Sequence, residues 1–146
     1  MTTIVYDHKT KTIAYDSRET RGSLISSDNT DKKILVGDQP FFMCGSYADI
    51  QELLDTYSSG GKEIAKGNEA YGYTVRKNRV YEIFASDSGH LAVIELTYNV
   101  ACGSGGDFAL AALDFGKSAT EAVEYAKTRD VYTGGNVNTF KVSNQG

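Results

Sequence analysis

Residues 1–16 read Met-Thr-Thr-Ile-Val-Tyr-Asp-His-Lys-Thr-Lys-Thr-Ile-Ala-Tyr-Asp. Two short segments rich in β-branched and aromatic residues, Thr2–Tyr6 and Thr12–Asp16, flank the polar run His8-Lys9-Thr10-Lys11. That arrangement predicts an opening hairpin. The same stretch decides which residue heads the mature chain. Met1 precedes a small residue, and aminopeptidases normally trim Met from such an end. Trimming would leave Thr2 with a hydroxyl and a free α-amine on one residue, a nucleophile beside its own base. An α-amine titrates at roughly 7.7–8.0, near the ambient pH that suits a general base. Many chains begin Met-Thr, so a catalytic role for Thr2 needs partners elsewhere in the chain.

Working outward, residues 17–31 are polar and read as a loop that doubles back. Lys33–Val36 and Phe41–Cys44 flank the turn-rich Gly37-Asp38-Gln39-Pro40 and predict a second hairpin. Ile50, Leu53, Leu54 and Tyr57 fall on one face of a helix that Gly60-Gly61 ends. Residues 58–69 read as polar loop. Tyr71–Arg76, Arg79–Ala85 and Leu91–Tyr98 are three consecutive antiparallel strands, separated by Asn78 and by Asp87-Ser88-Gly89. Gly103–Gly106 breaks the pattern. Phe108, Ala111, Ala112 and Phe115 then take helical spacing. Ser118 and Glu121 form a capping box for a further helix, with Ala119, Ala122, Val123 and Ala126 as its inner face. A last strand is expected near Val137–Val142. Strands, helix, strands, two helices, strand: this order favours an α+β layered fold of two stacked antiparallel sheets over a parallel βαβ array.

The chain has 146 residues, which suits a single domain spanning 1–146. With 40% hydrophobic and 23% charged residues it has the composition of a soluble globular protein. A net charge of −4 and no basic stripe argue against a nucleic-acid partner. No apolar run approaches the ~20 residues of a membrane span, and no secretory signal is evident. A cytoplasmic protein is therefore expected, with Cys44 and Cys102 as buried thiols. His8 and His90 read as solvent-exposed. Neither has a neighbouring Cys or His, so no metal and no cofactor is expected. Gly103–Gly106 lacks the GK[ST] ending of a phosphate-binding loop.

Six segments, in order, resemble the motifs of proteasome β-subunits and the bacterial proteasome-like peptidase HslV. They are Thr2-Thr3-Ile4-Val5, Ile13-Ala14-Tyr15-Asp16, Lys32-Lys33-Ile34, Cys44-Gly45-Ser46-Tyr47-Ala48-Asp49, Gly103-Ser104-Gly105-Gly106 and Arg129-Asp130-Val131-Tyr132-Thr133-Gly134-Gly135. Residues 2–55 and 91–142 carry the resemblance. It implies an N-terminal-nucleophile (Ntn) hydrolase with an αββα four-layer sandwich. Only one helix of about ten residues follows the Gly-x-x-Ala-Asp segment, where the family has two long ones. One helical layer is therefore expected to be reduced.

The resemblance implies roles residue by residue. Thr2 is the catalytic threonine of a threonine-type peptidase, and Asp16 is the buried acid paired with a catalytic lysine. Lys33 fits that lysine because Ile34 follows it, as Ile or Val does in the family. An ungapped count from Asp16 selects Lys32 instead. Neighbours on a strand point to opposite faces, so only one of the two can serve. Gly45 matches the glycine whose N–H polarises the substrate carbonyl. Ser104, Asp130 and Thr133 match the group that surrounds the N-terminal amine, with Thr133 where the family usually has Ser. The resemblance also implies a peptide or protein substrate and self-association, while an ATPase unfoldase is left open by the thinned helices. The rival readings are an inactive scaffold or assembly protein of the same fold, and a small-molecule amidase.

Overall fold

The computed structural model describes residues 2–142; Met1, whose removal a catalytic Thr2 requires, lies outside them. Among the described residues every strand pairing is antiparallel. The chain divides into two units, Met1–Lys32 with Thr97–Gly146, and Lys33–Leu96.

The first unit is built on the opening hairpin, β1 (Thr3–Asp7) and β2 (Thr12–Tyr15). A small hairpin comes next, β3 (Glu19–Arg21) and β4 (Leu24–Ser27), where the sequence suggested only a loop. Its side chains are largely exposed, so it lacks the in-out alternation that marks a half-buried strand. After the second unit the chain returns as β10 (Val100–Gly103), then α2 (Gly106–Asp114), α3 (Ala119–Lys127) and β11 (Asn138–Lys141). The sheet order is β10-β1-β2-β11. β10 is not evident from sequence because its four residues run straight into Gly103–Gly106.

Helices α2 and α3 pack on this sheet through small side chains. Val5 and Ala14 meet Ala109, Ala112, Leu113, Ala119, Ala122, Val123 and Ala126 in one core. The α3 face is the one its sequence spacing indicates, and the capping box is formed in both directions. The α2 face is rotated from expectation. Its buried residues are Gly106, Ala109, Ala112 and Leu113, whereas Phe108 is 38% exposed and Phe115 87% exposed. The aromatic pair misleads because the face of α2 set against the sheet is the one that carries Gly106, Ala109, Ala112 and Leu113.

The second unit holds a five-stranded sheet of order β5-β6-β7-β8-β9. Its strands are β5 (Lys33–Val36), β6 (Gln39–Cys44), β7 (Tyr71–Arg76), β8 (Arg79–Ala85) and β9 (Leu91–Glu95). Its single helix, α1 (Tyr47–Ser58), is capped by Ser46 and buries Ile50, Leu53 and Leu54. These pack with Phe41, Met43, Ile64, Ala70 and Ile83. One helix here, against two in the first unit, matches the expected thinning of a helical layer. Cys44 and Cys102 are not joined in a disulfide and are half-buried rather than buried. His90 is exposed, but His8 is half-buried, its ring hydrogen-bonded to the Tyr6 hydroxyl at 2.8 Å.

The rotated face of α2 is testable. Leu113→Ala is expected to cost about 2–5 kcal/mol by urea unfolding. Phe115→Ala, at an exposed site, should stay within about 0.5 kcal/mol of wild type.

Candidate active site

The register of the first sheet assembles the site. Ile4 pairs with Tyr15, so Asp16, the next residue after β2, lands beside Thr3, and its N–H donates to the Thr3 carbonyl at 3.2 Å. On the other side of β1, Thr3 pairs with Gly103. That brings the Gly103–Gly106 turn against Thr2. The turn requires glycine. Gly103 has φ +92°, and a β-carbon on it would lie 1.9 Å from the Thr2 carbonyl oxygen. A β-carbon on Gly105 would lie 2.1 Å from Thr3 Oγ1 and 2.8 Å from Thr133 Oγ1. The stretch is neither a loose joint nor a phosphate loop; it lets two backbones touch.

Around Asp16 the polar groups converge. The Thr2 hydroxyl donates to Asp16 Oδ1 at 2.7 Å. Lys32 Nζ donates to the same Oδ1 at 2.7 Å and to Thr2 Oγ1 at 2.6 Å. The Thr3 N–H adds a third donor to Oδ1 at 3.1 Å, and the N–H groups of Gly134 and Arg18 donate to Oδ2 at 3.0 and 3.3 Å. Asp16 is wholly buried, and the Lys32 side chain is only 12% exposed. These five donors stand in for solvent around the buried carboxylate.

The lysine that reaches Thr2 is Lys32, which corrects the choice of Lys33. Lys32 is the last residue of the first unit, just before β5, and its side chain joins Thr2 and Asp16 there. Lys33 opens β5 in the second unit, paired with Phe42. The family-like Lys-Ile spacing points one residue too far, and the ungapped count from Asp16 points to the right one.

A second cluster lies on the Gly103 side of Thr2. Ser104 Oγ donates to Asp130 Oδ2 at 2.5 Å, and Thr133 Oγ1 donates to the same oxygen at 2.6 Å. Thr3 Oγ1 lies 2.6 Å from Thr133 Oγ1, and Ser104 Oγ lies 3.5 Å from the Thr2 carbonyl oxygen. Burial pushes the Asp130 carboxyl up. The Ser104 and Thr133 hydroxyls and the Tyr132 N–H push it further down, so it is held below the usual carboxylate range.

Thr2, Asp16, Lys32, Ser104, Asp130 and Thr133 thus occupy one corner of the first unit. Gly45 belongs to the second unit, exposed between β6 and the α1 cap Ser46, with φ +125°. Two contributors are not evident from sequence. Thr3 touches both clusters. Arg18 pairs with Asp28 at 2.8 Å and reaches the Val131 carbonyl at 2.9 Å. Its guanidinium lies so close over Gly134 that a β-carbon there would sit 2.4 Å away. The Gly134-Gly135 pair carries that signal, but in sequence it reads as ordinary turn chemistry. No group of three or more His, Cys, Asp or Glu among the described residues is arranged to hold a metal.

No family model and no curated protein matches the sequence. Solved structures do match. HslV from Trypanosoma brucei superposes with a TM-score of 0.69 at 20% identity, covering 94% of this chain and 97% of that one. The chain has the fold of HslV. Thiobacillus denitrificans BPH, solved in complex with epoxomicin, gives a TM-score of 0.69 at 19% identity, with 94% of this chain and 96% of that chain covered. The mixed α+β architecture with antiparallel sheets is shared with these neighbours. At one residue in five identical, the likeness carries the fold and no more. No described helix of this HslV-like chain is long and apolar enough to cross a membrane.

Asp130 sets an acid limit on stability. Its carboxyl binds a proton more weakly folded than unfolded, so it stabilises the fold fully above its unfolded value of about 3.9. That contribution fades as pH falls from there through the lower folded value. Thermal unfolding from pH 5 to pH 2 should therefore show a smaller loss of Tm in Asp130→Asn than in wild type. Equal slopes would mean that the carboxyl is not held by its hydroxyl partners.

Proposed function

We propose that the protein is a threonine-type Ntn amide hydrolase, a peptidase of the HslV and proteasome kind, in which Thr2 becomes the nucleophile once Met1 is removed. The observation that carries this reading is the contact of Lys32 Nζ with both Thr2 Oγ1 and the buried Asp16 carboxylate. A hydroxyl that is only structural does not need an ammonium at 2.6 Å. A nucleophile does, because negative charge develops on its oxygen as the proton leaves.

In this reading the Thr2 amine takes the hydroxyl proton, directly or through a water. Oγ forms a bond to the substrate carbonyl carbon, and the carbonyl electrons move to its oxygen. A backbone N–H donor at that oxyanion is typically worth about 3–4 kcal/mol of barrier, the role that the family resemblance implies for Gly45. Collapse breaks the C–N bond, and the leaving amine takes the proton from the Thr2 ammonium. Water then adds to the ester and gives a proton to the amine; the C–Oγ bond breaks, Oγ takes that proton back from the ammonium, and the acid is released. Asp16 holds Lys32 oriented in a site with little solvent, where the charge acts at close to full strength. Ser104, Asp130 and Thr133 hold the amine.

The epoxomicin complex of the T. denitrificans protein supports a peptide-like substrate, since that neighbour shares the fold. The same reading treats residues 1–146 as one domain that self-associates and acts in the cytoplasm. An inactive scaffold remains the rival, and retained Met1 would favour it, because the amine would then no longer be on Thr2.

The test is hydrolysis of a peptide amide by protein whose intact mass shows Met1 removed. Thr2→Ala should abolish turnover. Lys32→Ala should lower kcat by about 10²–10³-fold, the scale of one lost electrostatic partner in a transition state. Lys33→Ala should keep near-wild-type turnover. Loss in Lys33→Ala with full activity in Lys32→Ala would overturn the assignment. No turnover by Met1-free wild type would favour the scaffold.

A further inference from the structure

Thr3 takes no part in the attack as proposed, yet its side chain is fully buried at the junction of the two clusters. Its N–H donates to Asp16 Oδ1 at 3.1 Å, and its Oγ1 lies 2.6 Å from Thr133 Oγ1. Counting protons fixes the direction of that second bond. Thr133 has one hydroxyl proton, and it points to the Asp130 carboxylate at 2.6 Å. Thr133 can therefore only accept from Thr3. Ser104 also directs its single proton at Asp130, at 2.5 Å. The same hydroxyl also faces the Thr2 carbonyl oxygen, 3.5 Å away.

We infer that Thr3 is a positioning residue: its hydroxyl acts through Thr133 on Asp130, the carboxylate that holds Ser104 against the Thr2 carbonyl. The inference rests on the hydrolase reading for its consequence in catalysis, and on geometry alone for the wiring. The surrounding space leaves that wiring little freedom. Gly105 passes so close to Thr3 Oγ1 and Thr133 Oγ1 that even one added carbon would overlap both. A methyl in place of the Thr3 hydroxyl would stand 2.6 Å from Thr133 Oγ1 if nothing moved, well inside the roughly 3.3–3.6 Å of a carbon–oxygen contact. Thr133 would have to withdraw from Asp130. Charged groups near this network include Arg18 on the Val131 carbonyl and, beyond Thr3, the Asp16–Lys32 pair. None of these is altered by the substitution.

The test compares Met1-free wild type, Thr3→Val and Thr3→Ser by two readouts. One is the carboxyl titration of Asp130 by ¹³C NMR, and the other is the pH–rate profile of peptide-amide hydrolysis. In Thr3→Val, Asp130 should titrate at higher pH than in wild type. Hydrolysis should fall about tenfold, the scale of one lost hydrogen bond, with its acid limb moved to higher pH. Thr3→Ser restores the hydroxyl and should restore both. Unchanged Asp130 titration in Thr3→Val would overturn the inference, as would a folded Thr3→Ser that behaves like Thr3→Val. If Thr3→Val does not fold, Thr3→Ala removes the donor without the clash and carries the same comparison. Wild type that hydrolyses nothing overturns the hydrolase reading, and the titration then still decides the wiring of Thr3.

Discussion

One buried carboxylate organises this protein. Asp16 accepts from the Thr2 hydroxyl, the Lys32 ammonium and three backbone N–H groups, and it does so with no access to solvent. Stripped of its partners, such a charge would be costly to bury, and removing one partner of a buried ion pair typically destabilises by about 3–5 kcal/mol. Here the donors come from the chain start, the end of β2, the approach to β5 and the turn before β11. A single anion therefore ties together four distant parts of the sequence. The same tie sets a lysine against a threonine hydroxyl, which is an arrangement suited to generating an alkoxide.

The backbone explains why those parts meet. Antiparallel pairing of β1 with both β2 and β10 brings Asp16 and the Gly103 turn to the two flanks of the first strand's start. A one-residue slip would turn every side chain to the other face, so the site and the core are fixed by one register. The close approach is possible because the flanking turns are glycine. The helices on this sheet obey the same logic: alanines on α2 and α3 let them lie near β1 and β2. Asp130 is delivered just past the end of α3, where the chain turns back toward Thr3.

Much of this was legible in the sequence. The opening hairpin, the Ser118 capping box and the alanine face of α3 come from local rules that tertiary packing does not overturn. The grouping of Thr2, Asp16, Ser104, Asp130 and Thr133 was legible too, although through ordered motifs and not through spacing. What failed was whatever depended on a neighbour across space. Phe108 and Phe115 have helical spacing but are exposed, because α2 packs on the sheet through Ala109, Ala112 and Leu113 instead. The exposed hairpin of β3 and β4 has no buried face to leave a pattern. Lys32 and Lys33 are chemically equivalent side by side, and only the path of the chain between β4 and β5 chooses between them. Thr3 reads as one more β-branched strand residue until the partner of its hydroxyl is known.

Function turns on whether the Thr2 hydroxyl, once its residue heads the chain, is a nucleophile. The most direct measurement is mass-spectrometric peptide mapping of Met1-free protein after incubation with a peptide electrophile that traps N-terminal threonine. A single adduct on the peptide that begins at Thr2, lost when Thr2 is replaced by alanine, is the result expected. Met1-free protein that stays unlabelled, or that is labelled at Cys44 or Cys102 and not at Thr2, would contradict it.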